Sequence, residues 1–259
     1  MGTVGMREPA PAGFEDRWRQ RFERFANASN DDAGIAGWSH SGLETRLRNF
    51  QRLWRTRPAG EAWLDAGCGA GTYSRFLASQ GLNMVGLDYS FPTLCKGRER
   101  SPQVHRWLVG DVTRLPLQSG KLDGAICFGV MQALQSHDRA LAELGRVVKP
   151  GGEVWVDALN RVCIVNLLAN ALRRLRGQPA HLRYDSPGRL VATMRNGGFE
   201  DVHVHWVLIL PSRLHALQPL AESAPVRWLL AHVPGLGAFL SHAFVVRGRR
   251  SRTGGGERP

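Results

Sequence analysis

The 259-residue sequence predicts an α/β fold: a doubly wound, mostly parallel sheet of seven strands, with an N-terminal helical cap and C-terminal insertions. Two observations lead there. From residue 62 onward, short apolar runs alternate with segments of helical periodicity, the pattern of a parallel sheet wrapped by helices. Three successive apolar runs also end in an acid (Asp65, Asp88, Asp111), and the first of these opens a glycine loop, Asp65-Ala66-Gly67-Cys68-Gly69-Ala70-Gly71.

Taken in order, residues 1–12 read as a flexible tail and residues 13–58 as the helical cap. Phe14, Trp18, Phe22 and Phe25 recur at i, i+4, i+8 and i+11, one stripe of a helix, with Arg17, Arg21 and Arg24 off it. Asn30-Asp31-Asp32-Ala33-Gly34 reads as a turn. Leu43, Leu47, Phe50 and Trp54 mark a second helix. The main domain then spans residues 59–248. AWLDAG, NMVGLD, VHRWLVGD, LDGAICF and EVWVDAL are its first five strands. Helices are expected from Thr72 to just before Gly81, over Phe91–Arg100 with Pro92 in the first turn, and over Asp138–Val148 up to Pro150-Gly151-Gly152. Val162–Leu172 is apolar and closes on Arg173, Arg174 and Arg176; it lies in an insertion at about 160–184. Ser186 and Pro187 read as the cap and first position of a helix that ends before Gly197. FEDVHVHWVLIL is the sixth strand, 211–240 a second insertion, HAFVVRG the seventh strand, and 249–259 a disordered tail.

Composition narrows the class. With 43% apolar and 22% charged residues the chain is ordinary globular protein, and its length supports a core without disulfide or metal staples. Four cysteines form neither a CxxC pair nor a zinc spacing, so reduced thiols and a cytoplasmic location are expected. MGTVGMREPAPAGFEDRW lacks the apolar stretch of a signal peptide. The longest uncharged run, Trp228–Val246, is broken by Pro234, Gly235 and Gly237, which argues against a membrane span. The net charge of +12 comes almost entirely from arginines scattered along the chain, which fits a compositional habit better than a nucleic-acid site.

The glycine loop carries the chemistry. Three glycines at alternate positions allow a tight bend and let a ligand approach where no Cβ intrudes. A structural turn would explain the loop alone, and an N-cap would explain any one acid. Acids at three neighbouring strand tips favour a binding site, since ligands of open parallel sheets sit beyond the strands' carboxyl ends. Asp88 is placed to accept both hydroxyls of a ribose, and Asp111 to accept from an exocyclic amine. The spacing is GxGxG, whereas a dinucleotide fingerprint is GxGxxG with a helix N-terminus on the pyrophosphate. An acid just before the loop suits a cationic ligand. S-adenosylmethionine carries an ammonium and a sulfonium, and no phosphate.

WLDAGCGAGTYS, VGLDYS, VGDVTRLPL, LDGAICFGVMQAL and RVVKPGGEVWV resemble the ordered motifs of class I S-adenosylmethionine-dependent methyltransferases, above all the small-molecule branch that includes ubiquinone- and menaquinone-biosynthesis enzymes. The likeness covers about residues 60–158, with weaker support from SPGRLVATMRNGGFEDV. It implies a Rossmann-like sheet and transfer of a methyl group by in-line displacement. It also implies roles: Gly67, Gly69 and Gly71 around the methionine part, Asp65 on its amino group directly or through water, and Asp88 on the ribose. Tyr89 would lie against the adenine, Asp111 and the Val112 backbone on its edge, and Phe128 near the methionine end. No metal is implied.

A general base is harder to find. His137 follows strand four in a region that faces the acceptor in this family; a solvated residue ahead of the next helix is the competing explanation. His40 fits a turn, and His203 and His205 a surface pair. Phe128-Gly129-Val130-Met131 stands where amine-methylating relatives carry an Asn or Asp, two prolines and an aromatic, which lowers the case for nitrogen in adenine or glutamine. The apolar cap and insertions suggest a small, apolar acceptor of quinone, polyketide or lipid-linked type, and Arg173, Arg174 and Arg176 a peripheral contact with anionic membrane. The alternatives are an RNA methyltransferase and a non-catalytic cofactor-binding member of the fold.

Overall fold

The computed structural model describes residues 13–178 and 182–252; the tail expected at 1–12 and the end of the one expected at 249–259 lie outside these residues. The elements follow the apolar periodicity closely. The cap comprises α1 (Phe14–Ala28), α2 (Asp32–Ile35) and α3 (His40–Leu53). The main domain begins β1 (Ala62–Ala66), α4 (Thr72–Ser79), β2 (Asn83–Asp88), α5 (Phe91–Arg100), β3 (Arg106–Val109) and β4 (Leu122–Cys127). It continues with α6 (Asp138–Val147), β5 (Val148–Leu159), α7 (Ile164–Leu175), α8 (Pro187–Asn196) and β6 (Phe199–Val207). The second insertion folds as α9 (Gln218–Ala221), α10 (Ala224–His232) and α11 (Leu236–Leu240), and β7 (Ala243–Arg250) closes the sheet.

Local chemistry sets the boundaries. Ser39 Oγ accepts from Gly42 N at 3.1 Å and Ser90 Oγ from Thr93 N at 3.4 Å, capping α3 and α5. The expected turn at 30–34 instead contains α2, because the Asp31 carboxylate caps Gly34 N at 2.8 Å. Ser186 holds the N-cap position of α8, but its hydroxyl makes no capping bond. β5 starts five residues earlier than the apolar run EVWVDAL: Pro150-Gly151-Gly152 lies inside it, where the register against β4 shifts between Leu122 and Gly124. β7 runs through Arg250, so the first two positions of the expected tail are strand.

The seven strands order as β3-β2-β1-β4-β5-β7-β6. β1 to β5 pair in parallel, and β7 runs antiparallel between β5 and β6. Side chains alternate across each strand. Leu64, Ala66, Val154, Val156 and Ala158 join one buried cluster, into which α6 sends Leu141 and Leu144, and α8 sends Leu190 and Met194. Trp63 and Trp155 point to the other face, where α3 and α4 bring Phe50, Trp54 and Tyr73. The same alternation puts Asp65 and Asp157 on this aromatic face.

Phe50 is the hub of that layer. Its ring lies 5.1–5.8 Å, mostly edge-on, from Trp54, Tyr73, Phe76, Phe128 and Trp155. Truncation there leaves a cavity under both cap and sheet. Phe50→Ala is expected to lower unfolding stability by about 3–5 kcal/mol, read as a shifted midpoint in urea denaturation.

Candidate active site

Strand order reverses between β1 and β4, so a crevice opens where their carboxyl ends lead in opposite directions. The loops after these two strands meet there. Gly67 has φ +77°, and a Cβ on it would stand 2.1 Å from Val130 Cγ2, so the residue must be glycine on both backbone and packing grounds. Gly69 has φ +53°, and a Cβ there would meet nothing within 4 Å: it faces the open cleft. Gly67 N and Cys68 N donate to Leu87 O at 2.7 and 3.0 Å, and Gly69 N donates to Asp88 Oδ2 at 3.0 Å. Asp88 Oδ1 accepts from Ser90 N at 2.9 Å. The loop is thus sewn to the tip of β2, while each Asp88 oxygen keeps a lone pair for a ligand.

The cleft has a volume of about 1050 Å³ counting its open mouth. Gly67, Gly69, Asp88, Tyr89, Asp111, Val112 and Phe128 all line it, so seven of the sequence-predicted binding residues share one hollow. Asp65 and Gly71 do not. Gly71 caps α4 from behind, with φ +82° and Trp107 against it. Asp65 is buried beneath the loop and accepts from Ser74 Oγ at 2.7 Å. A direct contact of either with a ligand in the cleft is therefore not what this geometry offers. Asp111 stands two residues past β3, in an isolated bridge with Arg114.

His137 is a correction. It neither lines the cleft nor meets solvent: it is fully buried, with Nδ1 2.6 Å from Arg183 Nη2 and 3.5 Å from Asp185 Oδ1. Its place is a strut between the segment after β4 and the chain entering α8. Of the two β6 histidines expected as a surface pair, His203 is exposed and His205 is half-buried. His205 lies flat against Trp155, and burial, with Arg247 and His203 adding, pushes its pKa down to about 4. His40 is exposed, 3.5 Å from Asp31. Among the described residues no group of three or more His, Cys, Asp or Glu could hold a metal ion.

The cap closes the cleft through α1. Trp18, Arg19 and Phe22 line it, Arg19 pairs with Asp111, and the Tyr89 hydroxyl donates to Arg19 O at 3.4 Å. Farther along, Asp32 accepts from Thr72 Oγ1 at 2.5 Å and pairs with Arg75 and Arg100, tying α2 to the start of α4. Sequence reasoning found the aromatic stripe but missed Arg19, which sits on the helix beside Trp18.

Two further groups escaped it. Asp157 near the end of β5 is buried, and its Oδ1 accepts from Gly129 N at 2.6 Å. Arg46 of α3 is its ion-pair partner at 3.7 Å. The signal for Asp157 was present, since EVWVDAL has an acid near its end as the first three runs do. Nothing in the apolar stripe of α3 singled out Arg46.

The two acids lining the cleft are held differently. Burial pushes the Asp88 carboxyl up against the pull of its backbone donors. Burial would also raise Asp111, but hydrogen bonds from Thr113 and the Arg19 charge outweigh it and hold the carboxyl below its usual value.

Residues 64–156 match the family model described as a methyltransferase domain. The chain is 40% identical over 215 residues to malonyl-[acyl-carrier protein] O-methyltransferase of Pectobacterium atrosepticum, covering 81% of this chain and 78% of that one. It belongs to the class I S-adenosylmethionine-dependent methyltransferases. This methyltransferase is also 28% identical to the ubiquinone biosynthesis O-methyltransferase of Xanthomonas oryzae pv. oryzae, over 81% of its own length and 91% of the relative's. Its fold matches phosphoethanolamine N-methyltransferase 2 of Haemonchus contortus, solved with S-adenosylhomocysteine, at a TM-score of 0.66 and 16% identity, over 94% of this chain and 61% of that one. The cofactor of the methyltransferase is S-adenosylmethionine, and the cleft fits it. Gly69 leaves a cradle that any side chain would fill, and Asp88 and Asp111 offer acceptor oxygens. Arg19 is the one Arg or Lys among the lining residues described, poor provision for a pyrophosphate.

Burial pushes Asp65 up to about 7 from an ordinary 3.8; the Ser74 bond opposes this and the Asp88 charge adds to it. Between those values the folded methyltransferase holds a proton that the unfolded chain has lost, so this group's contribution to stability falls as pH rises from about 4 to 7. In Asp65→Asn that component is absent. Urea midpoints measured across this range are expected to depend less on pH in the variant than in the wild type.

Proposed function

We propose that this methyltransferase transfers a methyl group to a small, largely apolar acceptor of quinone, polyketide or lipid-linked type. The observation that carries the reading is the division of the cleft. One side holds the glycine loop, Asp88 and Asp111; the other is built of Trp18, Phe22, Ile35, Trp38 and Leu43. The relatives named above act, by their names, on a malonyl group carried by a protein and in ubiquinone biosynthesis, which is consistent with such acceptors.

The residue roles follow from position and donor type. Asp88 would accept the ribose hydroxyls, Tyr89 would lie against the adenine, and Asp111 with the Val112 backbone would read the adenine edge. Gly67 and Gly69 would give the methionine part its close approach, and Phe128 would border that end. Asp65 would act on the amino group only through the loop or through water. When bound, S-adenosylmethionine supplies a methyl group on a sulfonium, an activated leaving group. The chain's own task is to orient the acceptor and exclude water, and such orientation contributes about 7–11 kcal/mol. α1, lying across the mouth, is the excluding element. His137 has no part in this scheme.

Charge-assisted hydrogen bonds are worth about 1.5–3 kcal/mol each. Asp88→Ala is therefore expected to weaken S-adenosylhomocysteine binding by about ten- to a hundred-fold, measured by titration calorimetry, without abolishing the fold. The acceptor class is tested by a labelled-methyl screen of cell extract fractionated by polarity. Product confined to the aqueous fraction would overturn the apolar acceptor.

Where the acceptor is met is suggested by α7. Val165, Leu168, Leu172 and Leu175 follow one another at helical spacing and are exposed, Leu175 by 85%. Arg173 and Arg174 stand in the last turn, and Arg176 follows. Trp228 and Phe239 of the second insertion add exposed apolar surface, and α11 packs beside α7. No described helix is long and apolar enough to cross a membrane. We infer a cytoplasmic protein, with four free cysteines, that rests this face on an anionic bilayer. Wild-type protein is expected to co-sediment with phosphatidylglycerol vesicles, less so at high salt, and the triple variant Val165→Gln, Leu168→Gln, Leu172→Gln to remain in the supernatant. Equal recovery of both proteins with vesicles would overturn the contact.

A further inference from the structure

Beside the cofactor cleft lies a second chamber, of about 850 Å³ counting its open mouth. Trp18, Ala36 and Trp38 line both, so the two spaces meet along the cap. Trp38 stands in the loop between α2 and α3, and a Cβ on Gly129 would come 2.7 Å from its ring, so the ring packs on the segment after β4. From there the chamber extends away from the glycine loop, past Phe25, to Leu159 at the end of β5 and Ile209 just after β6.

Most of this wall is apolar, but two polar side chains in it lack partners. Gln132 sits in the turn after β4 and is only 6% exposed. Its backbone is fixed, since Gln132 O accepts from Arg183 N at 3.1 Å, whereas its side-chain amide makes no hydrogen bond among the described residues. His242 lies between α11 and β7 and is held in the same way: its carbonyl accepts from Asn160 N at 2.9 Å and Asn166 Nδ2 at 3.1 Å, while its ring bonds to nothing among the described residues. Burial, with Arg46 adding, pushes the His242 pKa down to about 4, so the ring is neutral near pH 7. A buried amide without a partner costs free energy that a polar ligand group in the chamber would recover.

The free groups define the ligand's chemistry. The amide offers two donors and an acceptor, and the neutral imidazole one of each. Neither carries charge. The two arginines on the wall are already covered: Arg21 lies over the rings of Trp18 and Phe25, with Cζ 4.9 and 5.3 Å from their centres, and Arg46 faces Asp157 and the Trp38 ring. We propose that Gln132 and His242 recognise the methyl acceptor by an uncharged oxygen, a phenol or enol hydroxyl whose apolar frame occupies this chamber. The inference rests on the methyltransferase reading and the apolar acceptor given above, and it narrows that acceptor to one that is not a carboxylate. Gln132 and His242 determine specificity from outside the donor's space, since neither lines the main cleft. Trp38, on the boundary, is the surface past which the acceptor meets the methyl-transfer end.

The test uses three probes of one shape, 4-propylphenol, 4-propylbenzoate and propylbenzene, titrated by ligand-observed NMR into S-adenosylhomocysteine-loaded protein. The proteins are wild type, Gln132→Leu, His242→Phe and His242→Asn, which restores a neutral amide near the ring's position. Wild type is expected to bind the phenol at least about three-fold more tightly than the other two probes. Gln132→Leu and His242→Phe each lose about three- to ten-fold for the phenol, with propylbenzene held within about two-fold, and His242→Asn recovers part of the loss. Affinity for S-adenosylhomocysteine stays within about two-fold throughout, which shows that the variants fold and that the donor's site is untouched. Unchanged phenol affinity in both Gln132→Leu and His242→Phe, equal losses for phenol and propylbenzene, or a wild type that prefers the benzoate overturns this inference alone. Failure of the loaded wild type to bind either uncharged probe overturns the apolar acceptor, and failure to bind S-adenosylhomocysteine overturns the methyltransferase reading itself.

Discussion

The site depends on one hydrogen bond more than on any other: Gly69 N to Asp88 Oδ2 at 3.0 Å. It joins the bend after β1 to the tip of β2, and it can form only because Gly67 and Gly69 take left-handed backbone conformations that other residues resist. A side chain at Gly67 would collide with Val130 from the segment after β4, so the two loops that flank the switch point fit one another as closely as core residues do. The cleft is therefore rigid on its sheet side. What can adapt is the cap, whose hold on the site is made of side-chain contacts: Arg19 on Asp111, Asp32 on Thr72, Arg75 and Arg100, and Lys96 on the carbonyls of Ala26 and Ser29.

That division explains what could be read from the sequence. Strands, parallel order and the glycine loop rest on local patterns (period two, period 3.6, alternate glycines), and each was legible because backbone geometry dictates it. Asp88 and Asp111 were legible at the cleft because strand tips converge in an open parallel sheet, and Phe128 through the family likeness. Asp65 lies deeper than that rule alone suggests. Side chains alternate along β1, which turns Asp65 to the aromatic face and under the loop, where Ser74 of α4 meets it. His137 was misplaced because burial is a tertiary property: Arg183 and Asp185 come from a distant segment, and no local pattern announces their arrival. Arg46 was missed for a related reason. It lies off the apolar stripe of α3 and would be taken for solvated surface, yet Trp38 and the ends of β5 and β7 enclose it.

The aromatic layer gives these buried polar groups their setting. Phe50, Tyr73, Phe128 and Trp155 pack edge-on beneath the cleft. Such a layer excludes water, and water is what ordinarily stabilises a carboxylate or a guanidinium. Asp65, Asp88 and Asp157 are all pushed up by burial there, and Arg46 is pushed down. Burial thus makes a lone charge costly there, and a neighbouring charge of opposite sign is worth more than it would be at an exposed site. A sulfonium donor, cationic at sulfur and carrying both an ammonium and a carboxylate, presents both signs of charge to this one layer. A sulfonium needs no protein nucleophile in order to leave, so the work left to such a setting is to orient the reactants and exclude water.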